Sequence, residues 1–111
     1  MNSEISLKYT FFILIAMAII FEIAGDVLFK KWSLGNKNTF LYIGLLIYAT
    51  GTVFWAFSLK YEQLSKAISV FTIVNLIVIS LIGILFFKED ISFTNKIGIG
   101  LGILSIALIE L

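Results

Sequence analysis

The sequence predicts an all-α integral membrane protein with four helices. Hydrophobic residues make up 60% of the 111 residues and charged residues only 14%, whereas a soluble domain usually has about 25% charged residues. The charges gather in clusters that separate four apolar runs. These runs do not alternate apolar and polar residues, as the strands of a membrane β-barrel do.

We expect the helices to form a single transmembrane domain over residues 1–111. Three of the runs have about 20 residues, the length that crosses a hydrocarbon core of about 30 Å. The fourth has about 15 residues and is a marginal span. The connections are short, so neighbouring helices should run antiparallel. The four runs lie at about 9–29, 39–59, 67–87 and 97–111.

Glu22 stands near the middle of the first predicted helix. An ionised side chain at that depth costs about 2.5–3.5 kcal/mol on insertion scales. The carboxyl group should therefore hold a proton when no cation is near and release it when a cation arrives. One acid with two mutually exclusive occupants is what a proton-coupled cation exchanger requires. The alternative is a protonated carboxyl group that only joins helices by hydrogen bonding.

Asp26 follows one turn later on the same helix face. Two acids one turn apart could together hold a dication or a polyamine. The alternative is that Asp26 lies near the membrane interface and pairs with Lys30, which follows it by four residues. The sequence leaves both interpretations open.

The second predicted helix carries a stripe of small and aromatic residues at spacings of 4, 3 and 4: Gly44, Tyr48, Gly51 and Trp55. Tyr48 could donate a hydrogen bond to Glu22, and Trp55 could present its π face to an organic cation. Such a stripe also serves plain helix packing, because small residues let helices approach closely.

The third predicted helix carries a polar stripe, which consists of Ser65, Ser69, Thr72 and Asn75, with Phe71 beside it. Asn75 is the most informative member, because a buried amide without a hydrogen-bond partner is costly. We name Phe71 and Asn75 as candidate substrate-binding residues. The alternative for the stripe is hydrogen bonding between helices.

The fourth predicted helix contains a G-x-x-x-G pattern formed by Gly98 and Gly102, and Ser105 continues the same face. This pattern is typical of close packing between membrane helices. We expect these three residues to pack a dimer.

Composition also excludes some functions. The chain has no cysteine and no histidine, so disulfides and the usual zinc sites are excluded, and we expect no metal and no cofactor. Neither a nucleophile–base pair nor a metal cluster is visible, so nothing indicates an enzyme. The net charge of +1 gives no reason to expect a nucleic-acid partner. The expected partners are membrane lipid, protons and a small organic cation.

The lysines give little preference for one orientation. Three of them fall on one side of the predicted membrane and five on the other, a weak bias under the positive-inside rule. The first group is Lys8, Lys60 and Lys66, and the second is Lys30, Lys31, Lys37, Lys88 and Lys96. Such a chain could insert both ways and form an antiparallel dimer. The alternative is a single orientation.

The segment FEIAGDVLFKKWS resembles the first helix of the small multidrug resistance transporters, with Glu22, Gly25 and Lys30 at matching positions. The resemblance extends to the length, the four helices and the fourth-helix glycines. Further matches are Tyr48, Tyr61, Phe86 and Phe87. The resemblance implies an antiparallel dimer in the cell inner (plasma) membrane that exchanges protons for organic cations. Both copies of Glu22 would share one site.

The sequence departs from both main branches of that family. Drug exporters usually carry a tryptophan in the third helix and glycines beyond it, where this chain has Phe71, Ile73 and Asn75. Guanidinium exporters usually have a tryptophan three residues after the glutamate, where this chain has Gly25. Asp26 would fit a polyamine exporter subunit or one half of a heterodimer with a paralogue.

Two other functions remain open. One is a lipid-linked sugar flippase or flippase subunit of the undecaprenyl phosphate-aminoarabinose type, whose third helix carries an asparagine that Asn75 resembles. Glu22 argues against it, since such flippases do not need a proton-exchanging glutamate of the multidrug kind. The other is a membrane subunit that does not transport.

Overall fold

A computed structural model describes residues 2–110 of the protein, with side chains described for residues 5–109. All regular structure in this part of the chain is helical, which confirms the predicted all-α membrane fold with four helices. The helices are α1 (Asn2–Ser33), α2 (Asn38–Ser58), α3 (Leu64–Phe86) and α4 (Phe93–Glu110).

Helix α1 is longer than its apolar run, because polar residues continue the helix at both ends. Lys30 and Lys31 form its last turn, where positive charge complements the negative end of the helix dipole. The last residue of the fourth predicted helix, Leu111, lies outside the described residues.

A tight turn joins α1 to α2. Gly35 has φ of +96°, a left-handed conformation that glycine adopts without a steric penalty. The Asn36 side chain donates a hydrogen bond to the Lys31 carbonyl at 2.7 Å. Across the turn, the Trp32 indole N–H donates to the Asn38 side-chain oxygen at 3.0 Å. These bonds fix the position at which the chain reverses.

The connection from α3 to α4 turns at Lys88, a non-glycine residue with φ of +53°. The Glu89 backbone N–H then donates to the Gly83 carbonyl at 3.0 Å, which satisfies one of the free carbonyls at the end of α3. The Ser92 hydroxyl accepts a hydrogen bond from the Asn95 N–H at 3.2 Å. Ser92 therefore caps the start of α4.

The chain divides into two compact units. The first contains α1 and α2 and ends at Gln63, and the second begins at Leu64 and contains α3 and α4. Among the described residues, three segments are long and apolar enough to cross a membrane: Ile5–Ser33, Asn38–Ser58 and Leu64–Phe86. A shorter apolar helical segment, Phe93–Ile109, follows. The protein is a multi-pass membrane protein.

Candidate functional site

The candidate site is built on the buried face of α1. Phe11, Ile15, Ala18 and Glu22 follow one another at helical spacing, and each is at most 5% exposed. Among the side chains that the structure describes, Glu22 is the one buried ionisable group. An acid therefore lies on a face of α1 whose other buried residues are apolar.

Gly51 lets α2 approach α1 at the level of this acid. A Cβ atom added at Gly51 would lie 2.9 Å from Phe21 Cβ, 3.2 Å from the Ala18 carbonyl oxygen and 3.3 Å from the Glu22 nitrogen. Two of these atoms belong to the α1 backbone. The absence of a side chain at position 51 therefore sets the separation of the two helices beside Glu22.

Gly25, one turn after Glu22, makes room for the Tyr48 ring. A Cβ atom at Gly25 would lie 2.9 Å from Tyr48 Cδ2 and 3.2 Å from the Gly44 carbonyl oxygen. The Tyr48 ring also lies near the Phe29 ring, with the two ring centroids 5.7 Å apart. Tyr48 thus lies against both Gly25 and Phe29 of the facing helix.

This position directs the Tyr48 hydroxyl at Glu22. The hydroxyl forms a side-chain hydrogen bond with the Glu22 carboxylate, and the Asp26 carboxylate also acts on it electrostatically. Asp26 is partly buried and interacts electrostatically with Glu22. The first hairpin, which consists of α1 and α2, therefore brings two acids, Glu22 and Asp26, together with one hydrogen-bond donor, Tyr48.

Two carboxyl groups and a phenol hydroxyl thus lie together in an otherwise apolar pair of helices. A carboxylate that accepts a hydrogen bond from a phenol can bind one organic cation or one proton, and little else in an apolar helix competes for it. In the part of the chain that the structure describes, no group of three or more His, Cys, Asp or Glu residues could hold a metal ion.

Trp55 lies further along the same hairpin. The antiparallel contacts pair Tyr48 with Gly25 and Gly51 with Phe21. Continuing this register places Trp55 level with the α1 turn before Glu22. Trp55 is half-buried.

The remaining predicted site residues belong to the second unit. Phe71 and Asn75 lie one turn apart on α3, and both are half-buried. On α4, nothing lies within 4 Å of a Cβ atom added at Gly98, and one at Gly102 would lie 3.6 Å from Ile73 Cγ2. The Ser105 hydroxyl donates to the Leu101 carbonyl of its own helix at 2.9 Å.

The sequence reasoning missed two features that shape the first hairpin. Phe21 and Phe54 stack with centroids 5.6 Å apart and planes only 9° apart. Ser58 is fully buried, and its hydroxyl donates to the Trp55 carbonyl at 2.6 Å. The spacing of Phe54 and Ser58, four residues apart on one face of α2, was the available signal.

The fold and the site define a class: a multi-pass helical membrane protein with a buried acid between two antiparallel helices. The family described as Small Multidrug Resistance protein matches residues 10–108. The chain belongs to the small multidrug resistance family, which confirms the predicted resemblance. Its members are membrane transporters and not enzymes.

Two bacterial relatives are similar over most of their length. The chain is 33% identical to the uncharacterized membrane protein YvaE of Bacillus subtilis (strain 168), over 88% of this chain and 85% of the relative. It is 31% identical to the probable 4-amino-4-deoxy-L-arabinose-phosphoundecaprenol flippase subunit ArnE of Hamiltonella defensa subsp. Acyrthosiphon pisum (strain 5AT), over 88% of this chain and 94% of the relative. No solved structure matches the chain.

Proposed function

We propose that the protein is a proton-coupled antiporter that exports small or hydrophobic organic cations across the cell inner (plasma) membrane. The observation that carries the proposal is the burial of Glu22, which is only 5% exposed, in hydrogen-bonding contact with Tyr48. An ionised acid placed so deep in an apolar helix is costly unless a bound cation balances its charge.

In the proposed cycle, a proton and a cation alternate on Glu22. The protonated carboxyl group is neutral and suits the apolar interior of the membrane. Loss of the proton leaves an anion whose charge a bound organic cation balances. The protein then changes the side to which the site opens, and a new proton displaces the cation. Asp26 supplies a second acid near the site, and Trp55 supplies an aromatic surface.

We further propose that two copies share the site. A single copy supplies one Glu22, and two copies in opposite orientation would supply a symmetric pair. The distribution of lysines, three against five, is weak enough to permit both orientations. The open space beside Gly98 favours α4 as the packing surface, through Gly98, Gly102 and Ser105. The partner is a second copy or a paralogue.

The test is transport by purified protein in liposomes under a proton gradient. Quaternary ammonium, guanidinium and polyamine cations would be screened for proton movement that depends on the cation. We expect Glu22→Gln to reduce exchange to the rate of protein-free liposomes, because the amide cannot release a proton. The matched control is Glu62→Gln, which removes an acid from the loop between α2 and α3 and should leave exchange unchanged.

Two results would contradict this proposal. One is a Glu22→Gln protein that still couples proton flow to cation flow. The other is a wild-type protein that moves none of the three cation classes when a proton gradient is applied.

A second candidate function is a lipid-linked sugar flippase or a subunit of one. The similarity to ArnE, a probable flippase subunit by its name, favours it. This function predicts binding of an aminoarabinose carried on undecaprenyl phosphate. It also predicts that a pH gradient has no effect on transport, which separates it from the antiporter.

A further inference from the structure

Asn75 differs from the other polar residues of the helices. Its side-chain oxygen, Oδ1, is buried and has no hydrogen-bond partner, and no other buried side-chain nitrogen or oxygen among the described residues shares this state. The residue sits in the interior of α3, in a segment that is long and apolar enough to cross a membrane.

Several serine and threonine hydroxyl groups of the same helices find a partner within their own helix. They donate to a carbonyl of the preceding turn, as Ser69 does to Ser65 at 2.7 Å and Thr52 does to Tyr48 at 3.0 Å. An amide oxygen cannot do this, because it only accepts hydrogen bonds. Asn75 Oδ1 therefore needs a donor from outside its own helix. Until it has one, the oxygen has lost its bond with water and gained nothing in return.

We propose that Asn75 Oδ1 accepts a hydrogen bond from an N–H group of the transported cation. The inference rests on the proposed function and names its substrate class: cations that carry N–H donors, such as protonated amines and guanidinium ions. A quaternary ammonium ion has no N–H and cannot satisfy the oxygen. Asn75 then favours organic cations that carry N–H donors over organic cations that carry none.

The test compares two probes with the same ring and the same charge. Benzylammonium has three N–H donors, and benzyltrimethylammonium has none. Binding of each would be measured calorimetrically to wild-type protein and to Asn75→Leu, which is similar in size and apolar. We expect Asn75→Leu to weaken benzylammonium about tenfold, or about 1.4 kcal/mol, and to change benzyltrimethylammonium less than twofold.

Three further variants secure the interpretation. Asn75→Ala should show the same selective loss if Asn75→Leu fails to fold. Asn75→Asp keeps an acceptor oxygen at the position and should keep the preference for benzylammonium. Thr72→Val, an exposed position one turn away on α3, is the matched control and should change neither affinity.

Equal weakening of both probes by Asn75→Leu would overturn the inference. So would unchanged affinities combined with a lower dimer stability, which would instead assign the oxygen to a donor on a second copy. Both outcomes leave the proposed antiport standing, since that depends on Glu22. Conversely, selective binding without proton-driven transport would contradict the antiport and support Asn75 as a binding residue.

Discussion

Three glycines of the first hairpin and two glycines of α4 in the second hairpin have opposite surroundings. In the first hairpin, Cβ atoms added at Gly25, Gly44 and Gly51 would lie 2.8 to 2.9 Å from atoms of the facing helix. In the second, nothing lies within 4 Å of such an atom at Gly98 or Gly100. At these three positions of the first hairpin, a neighbouring atom already occupies the space that a side chain would need, whereas at Gly98 and Gly100 of α4 that space is open.

The buried polar groups of the two hairpins differ in whether they have a hydrogen-bond partner. Glu22 in the first hairpin has the Tyr48 hydroxyl as a partner, whereas Asn75 Oδ1 in the second has none. Among the described residues, the first hairpin therefore leaves no buried side-chain nitrogen or oxygen without a hydrogen-bond partner. The second has open space beside Gly98 and Gly100 and a buried acceptor without a donor.

The largest expected effect comes from Gly51→Ala. The new methyl group would meet the α1 backbone beside Glu22, and a backbone cannot move aside as a flexible side chain does. Overpacking of this kind typically costs about 1–3 kcal/mol. We expect a lower melting temperature in detergent, followed by circular dichroism, and a loss of cation binding.

Gly100→Ala is the matched control for Gly51→Ala. Its methyl group would enter open space, and alanine favours a helix over glycine by up to about 1 kcal/mol. We expect an unchanged or raised melting temperature. An equal loss of stability in both variants would show that the contrast between the two hairpins is wrong.

An intermediate effect is expected from Tyr48→Phe. This change removes only the hydroxyl that contacts Glu22 and keeps the ring beside Gly25 and Phe29. A typical hydrogen bond contributes about 0.5–1.5 kcal/mol, so we expect cation affinity to change by about twofold to twelvefold. The control is Tyr42→Phe, at an exposed position of α2, which should leave cation affinity unchanged. An equal change in affinity for Tyr42→Phe would show that the Tyr48 hydroxyl has no specific role in binding.

The smallest effect is expected from Gly83→Ala in the second hairpin. The new methyl group would collide with the Glu89 carboxyl group, but that group is the end of a flexible side chain and can turn away. The gain in helix propensity, up to about 1 kcal/mol, offsets the contact. We expect the melting temperature to change by less than for Gly51→Ala, and Glu89→Ala to remove any remaining loss.

Much of the fold was predictable because its signals are local. The clusters of charge mark where the helices end, and the length of an apolar run decides whether it can cross a membrane. The sequence also placed Glu22, Gly25 and Asp26 on one helix face, since the helical period fixes this. The stripe on α2 predicted which of its residues face one side, but not what they contact.

The sequence alone thus determined four apolar helices, an acid deep inside the first of them and an asparagine within the third. Only the tertiary structure decided that Gly51 packs against the α1 backbone, that Tyr48 reaches Glu22 and that Asn75 Oδ1 is left without a donor. The physical reason is register. The alignment of one helix along another depends on the fit of side chains from both, and no pattern within a single helix specifies it.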